Sequence, residues 1–159
     1  MIRLLDRPGD LGWVVLAHGE LYATEYGVDA TFEALAARIM ADFAAAHDPA
    51  REAGWIAEID GRRAGCVLCV DAHEDATAVL RVLLVDPAAR GHGVGGALID
   101  TCVRFARAAG YARMRLWTID HLAAARRLYE KAGFQLVGEE PNKHFGVGGN
   151  AQTYQLELI

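Results

Sequence analysis

Four glycines fall within six residues in the run Arg90-Gly91-His92-Gly93-Val94-Gly95-Gly96. Glycine has no Cβ to hold a ligand off the backbone, and inside a helix each one costs about 1 kcal/mol relative to alanine. The run lies between an apolar, strand-like segment and an amphipathic, helix-like one. It therefore opens a helix N-terminus, where unpaired amides and the positive end of the dipole favour an anion. A tight strand-to-helix turn with close helix packing needs only one or two glycines, so the density points to a phosphate cradle. Gly91, Gly93 and Gly96 also fit G-x-G-x-x-G, the dinucleotide pattern. In that pattern the first glycine follows the strand almost at once, whereas Asp86-Pro87-Ala88-Ala89-Arg90 intervene here. A dinucleotide-binding oxidoreductase stays as a minority alternative, because Asp120 falls after the next strand. No Gly-Lys-Ser/Thr follows, which argues against an ATP-type loop.

The elements that must hold this loop follow from hydrophobic period. A short strand at residues 3–5 gives way to a turn at Pro8-Gly9-Asp10, with Asp10 placed to cap a helix. Leu11, Val14, Val15, His18 and Tyr22 form its apolar stripe, and Gly27 ends it. A second helix, begun at Asp29 or Thr31, carries Phe32, Leu35, Ile39 and Phe43 and stops before Asp48-Pro49. Period-two runs then occupy residues 55–59, 64–70 and 79–85, with Asp60-Gly61 as a hairpin signal. After the glycine loop come a helix over 93–109, a strand over 113–119 and a helix from Asp120 to Ala132. Strands over 134–139 and 153–158 finish the chain. Hairpins mixed with crossovers predict an α/β fold: a mixed, mainly antiparallel sheet of six to seven strands flanked by four helices. The whole of residues 1–159 is expected to form a single domain, since chains divide only at roughly 250–300 residues.

The 53% hydrophobic content supplies a core, and a net charge of −5 with no basic stripe argues against a nucleic-acid partner. No apolar run approaches the ~20 residues that span a bilayer, and Asp6 interrupts any N-terminal leader, so no membrane partner and a cytoplasmic location are expected. Cys66 and Cys69 have CxxC spacing, but on a strand they point to opposite faces, so they read as buried thiols rather than metal ligands.

Arg90-Gly91-His92-Gly93-Val94-Gly95 matches R-x-x-G-x-G, and Ala125-Arg126-Arg127-Leu128-Tyr129-Glu130-Lys131-Ala132-Gly133-Phe134 matches A-x-x-L-Y-x-x-x-G-F. In this order and separation the two motifs resemble the GNAT N-acetyltransferases, over nearly the whole chain. His18-Gly19 with Tyr22, Glu25-Tyr26-Gly27, Leu116-Trp117-Thr118 and His144-Phe145-Gly146 resemble, more narrowly, the acetyltransferase half of MarR–GNAT fusion proteins, of which this would be a free-standing relative.

The resemblance implies acetyl-CoA as co-substrate. Its pantetheine arm would pair with backbone at Leu83 and Val85, and its pyrophosphate would take the amides of Gly91, His92, Gly93, Val94, Gly95 and Gly96 behind Arg90. It also implies Tyr129 as the general acid, although Tyr129 shares a helix face with Leu122 and Ala125 and equally fits a core. Many relatives have a cofactor-contacting asparagine where His121 stands. Some use a glutamate base on the central strand, which here reads Val79-Leu80-Arg81-Val82-Leu83. Base candidates are therefore His18, Glu25, Glu33 and His144, or a water chain. Tyr22, Tyr26 and Trp117 fit an aromatic-walled substrate site or a core. The expected reaction is acetyl transfer to a primary amine of a small molecule or protein. A non-catalytic acyl-CoA sensor is the rival, and a homodimer is compatible with either.

Overall fold

The structure, a computed structural model, describes residues 1–159. The elements are β1 (Ile2–Leu4), α1 (Asp10–Tyr26), α2 (Ala30–Ala46), β2 (Ala53–Ile59), β3 (Arg62–Asp71) and β4 (Thr77–Val85), followed by α3 (Val94–Ala108), β5 (Arg113–Ile119), α4 (Ala123–Lys131), β6 (Gln135–Pro141) and β7 (Asn150–Glu157). One seven-stranded sheet runs in the order β1-β2-β3-β4-β5-β7-β6. Every neighbouring pair is antiparallel except β4 and β5. Seven strands and four helices agree with the fold expected from the sequence. The Asp60-Gly61 hairpin forms with both residues at positive φ (51° and 74°), as a two-residue turn of this kind requires.

The sheet separates two cores. On one face, α3 and Tyr129 of α4 pack on Val67, Cys69, Leu80 and Met114. On the other, α1 and α2 pack on Ile56, Cys66, Leu68 and Leu84. Cys66 and Cys69 accordingly lie in opposite cores, and both are free thiols.

Three local features differ from the sequence reading. Asp10 does not cap α1: Gly9 is the N-cap, left-handed at φ 92°, with no side-chain cap bond. The Asp10 carboxylate is instead buried and accepts from Arg3 (2.8 and 2.9 Å), Arg63 Nε (2.8 Å) and the Arg7 amide (2.9 Å). Two guanidinium groups hold a buried carboxylate more strongly than a single first-turn amide would. Nor does Asp120 cap α4. Its amide donates to Asn150 O (3.0 Å), which holds it in the sheet connection, and α4 starts after Leu122.

The third difference is in β4, which is not a regular run. Its register with β3 shifts between Cys66 and Leu68, so Val82 and Leu83 together oppose Val67. Val82 takes φ 51°, unusual for a β-branched residue, and Cys66 Sγ donates to its carbonyl (3.1 Å). The bulge changes the phase of the strand: Ala78, Leu80 and Leu83 lie in the α3 core, while Leu84 enters the α1/α2 core.

Candidate active site

β4 and β5 pair over three residues only, Thr77–Val79 against Arg113–Arg115. Beyond Val79 they part, while β5 continues paired to β7 as far as Ile119. A strand released from its neighbour leaves backbone groups that need other partners. Two of these are met by side chains: Leu83 O accepts from the Tyr22 hydroxyl (2.9 Å), and Val85 O accepts from Arg90 (3.3 Å).

A cavity occupies the split. Leu80 to Leu83 of β4 and Trp117 to Ile119 of β5 line its sides, and Tyr129 and Ala125 of α4 line it as well. Its remaining wall comes from α1, α2 and the β6–β7 loop and is largely aromatic. Phe32 and Phe145 meet edge to face at 4.9 Å, Tyr22 lies 5.3 Å from Phe32, and Trp117 lies 5.8 Å from Phe145. Such pairs hold a wall rigid at distances typical of aromatic contacts.

Three titratable groups in this lining have environments that fix their protonation. His18 is buried, and its Nδ1–H donates to Val14 O (2.8 Å), a carbonyl that can only accept. Its Nε2 has no partner, and burial pulls the imidazole pKa down to about 4. Tyr129 is buried against Phe134 and Tyr154, and burial pushes its phenol well above the usual range. Burial does the same to Tyr22. Both phenols are therefore proton-bearing groups at neutral pH.

The glycine loop continues from the free end of β4. Gly91 and Gly93 take positive φ (85° and 75°), and Gly93 is the N-cap of α3 with no side chain bonding to the first-turn amides. A Cβ on Gly95 would stand 2.5 Å from Leu128 Cδ1, so this glycine lets α3 approach α4. A Cβ on Gly96 would meet nothing within 4 Å. Turn geometry and helix packing thus account for three of the glycines. The fourth faces open space beside uncapped amides, an arrangement that suits a polyanion approaching closely.

The other expected site residues are distributed as follows. Arg90 is held by Glu25 in a two-pronged ion pair (both contacts 2.6 Å), which ties the loop to the end of α1 and places Glu25 on Arg90 rather than in the cavity. His92 is exposed, while Val94 and Val85 are half-buried against the α3 core. Exposed His121 has Nε2 3.0 Å from Gly148 O, fixing the β6–β7 loop. His144 is also exposed and sits 6.3 Å from the Trp117 ring, outside the cavity lining. Glu33 is exposed on α2, next to Gly19. His18, Tyr22, Leu83, Trp117 and Tyr129 do converge on one cavity.

Sequence reasoning gave no site role to Phe32, Phe145 or Arg81, which line the same cavity. Phe32 and Phe145 carry no local signal that separates a cavity wall from a core. Arg81 did carry one, a lone charge in an apolar strand.

The sequence profile of the acetyltransferase (GNAT) family matches residues 15–134. N-acetylaspartate synthetase of Danio rerio is 36% identical over 101 residues, covering 63% of this chain and 36% of that protein. Mycothiol acetyltransferase of Beutenbergia cavernae is 38% identical over 86 residues, covering 52% of this chain and 28% of that one. The chain thus spans only about a third of the length of these curated relatives. Among solved structures, a GNAT-family protein of Desulfovibrio desulfuricans superposes with a TM-score of 0.80 at 21% identity, covering 100% of this chain and 99% of that one. A Salmonella typhimurium protein solved with acetyl-CoA superposes at 0.77 and 19% identity, covering 100% and 94%. At these identities the superpositions show a shared fold.

Proposed function

This chain belongs to the GNAT acetyltransferase family, and on that footing we propose that it transfers the acetyl group of acetyl-CoA to a primary amine. The observation that carries the proposal is the split between β4 and β5, which leaves a strand edge without a neighbouring strand, leading from an uncapped, glycine-lined helix start into an aromatic-walled cavity. A linear thioester fits that shape: an amide-bearing arm along the edge, a pyrophosphate at the helix start, and an acyl group in the cavity. The narrower likeness to the acetyltransferase half of MarR–GNAT fusions rests on the sequence motifs that contain His18, Tyr22, Trp117 and Phe145.

In this reading the neutral amine attacks the thioester carbonyl carbon, the C–N bond forms and the C–S bond breaks. A β4 amide beside the Val82–Leu83 bulge stabilises the developing oxyanion, and the Tyr129 hydroxyl gives its proton to the departing thiolate. Burial holds Tyr129 protonated and so suits it to donate. It also makes a phenolate costly, so the proton is quickly replaced. With its pKa near 4, His18 is too weak a base to keep the amine's proton, which leaves through water.

Acetyl-CoA and CoA are expected to raise the melting temperature, and NAD and ATP to leave it unchanged. Absence of a shift with CoA would remove the proposal. Tyr129→Phe should lower kcat by about 100-fold, with CoA affinity retained; unchanged turnover would take Tyr129 out of the mechanism. Binding of CoA without thiol release for any amine would favour a sensor.

A further inference from the structure

Arg81 projects from β4 into the cavity lining on the face covered by α1 and α2. Arg81 is half-buried, and its side chain has no salt bridge and no hydrogen bond to the chain. Of the groups that line this cavity none is an aspartate or glutamate, and His18 is neutral above about pH 4. The guanidinium is thus the one full charge facing the acceptor side, in apolar and aromatic surroundings. An uncompensated buried charge is costly, and a fixed fork of N–H donors matches a carboxylate geometrically. Resting on the acetyltransferase reading above, we propose that the acceptor is a small amine that also carries a carboxylate, and that Arg81 binds that carboxylate.

Two further observations narrow the class. A single cation balances a single negative charge, so a carboxylate suits the site better than a doubly charged phosphate. A lining without acidic side chains offers nothing to a second ammonium group, so diamines are poor acceptors. The aromatic wall of Phe32, Phe145 and Trp117 faces the rest of the molecule and favours an apolar or aromatic side chain. The class is therefore apolar amino acids and related amino-carboxylates, rather than polyamines or lysine side chains of proteins.

The test uses the full chain with acetyl-CoA. L-Amino acids with apolar and aromatic side chains are compared with their primary amides, their decarboxylated amines, their aminophosphonates and lysine-containing peptides, following thiol release. Binding of the same compounds to the CoA complex is measured by calorimetry. The carboxylates should be preferred by about 10- to 100-fold in kcat/KM, the range a charge-assisted hydrogen-bonded pair provides. Arg81→Gln should raise KM for the carboxylates by a similar factor and leave KM for the amides unchanged, with Arg81→Lys in between. CoA affinity and melting temperature of each variant report whether the fold is intact. Equal or better use of amides, amines, phosphonates or lysine peptides overturns the inference while leaving the acetyltransferase reading standing. So does a CoA-binding protein that neither binds nor acetylates any carboxylate. Failure to bind CoA at all overturns both.

Discussion

At the scale of single residues, the glycine loop separates what the fold needs from what a ligand needs. Gly91 and Gly93 supply left-handed turns, and Gly95 supplies closeness to Leu128. Gly96 supplies neither, since a methyl group there would meet nothing. Replacing it by alanine should therefore stabilise the free protein by up to about 1 kcal/mol through helix propensity. The same methyl would crowd a pyrophosphate and weaken CoA binding. Urea melts with and without CoA check both signs, and a variant that gains stability with unchanged affinity would place the phosphates elsewhere. The glycine loop and the helix start it forms were legible because glycine density is a local signal. The roles of His18 and Glu25 were not, because each depends on a partner distant in sequence or in chemistry. Glu25 meets Arg90, 65 residues away, and His18 is set by a carbonyl of its own helix and by burial.

At the scale of elements, periodicity located every helix and strand, whereas two capping assignments and the course of β4 were decided by tertiary contacts. Asp10 has the sequence context of a cap, yet Arg3 from β1 and Arg63 from β3 take its carboxylate and join three elements at one point. These guanidinium groups hold Asp10 far below the usual carboxylate range. A carboxylate with a depressed folded pKa stabilises above its unfolded value near 3.8, and the stabilisation fades as pH falls through the folded value. Asp10→Asn should thus cost about 3 kcal/mol at neutral pH, with the gap from wild type constant above about pH 4 and narrowing in stronger acid. Guanidinium melts across pH measure it. The bulge at Val82 was hidden for a related reason: an unbroken apolar run reads the same whether or not one residue slips out of register.

For the molecule as a whole, acid should act earlier through His18. Its pKa falls from 6.5 in a free chain to about 4 when buried. Unfolding therefore takes up a proton between those values, and global stability should drop by about 3 kcal/mol as pH falls from 6.5 to 4. His18→Phe, which keeps a ring against Phe32, should flatten that slope; an unchanged slope would show that the imidazole stays protonated inside the protein. The two titrations occupy separate windows, so one pH series resolves both. The sheet itself carries a different consequence. A strand whose rim is left bare halfway along is, for any neighbouring chain, an invitation to add on and start an aggregate. This one is recessed inside the molecule rather than at its border, and the Tyr22 hydroxyl and the Arg90 guanidinium occupy carbonyls that a stray strand would seek. A second polypeptide is thereby left with fewer acceptors to pair with along this rim.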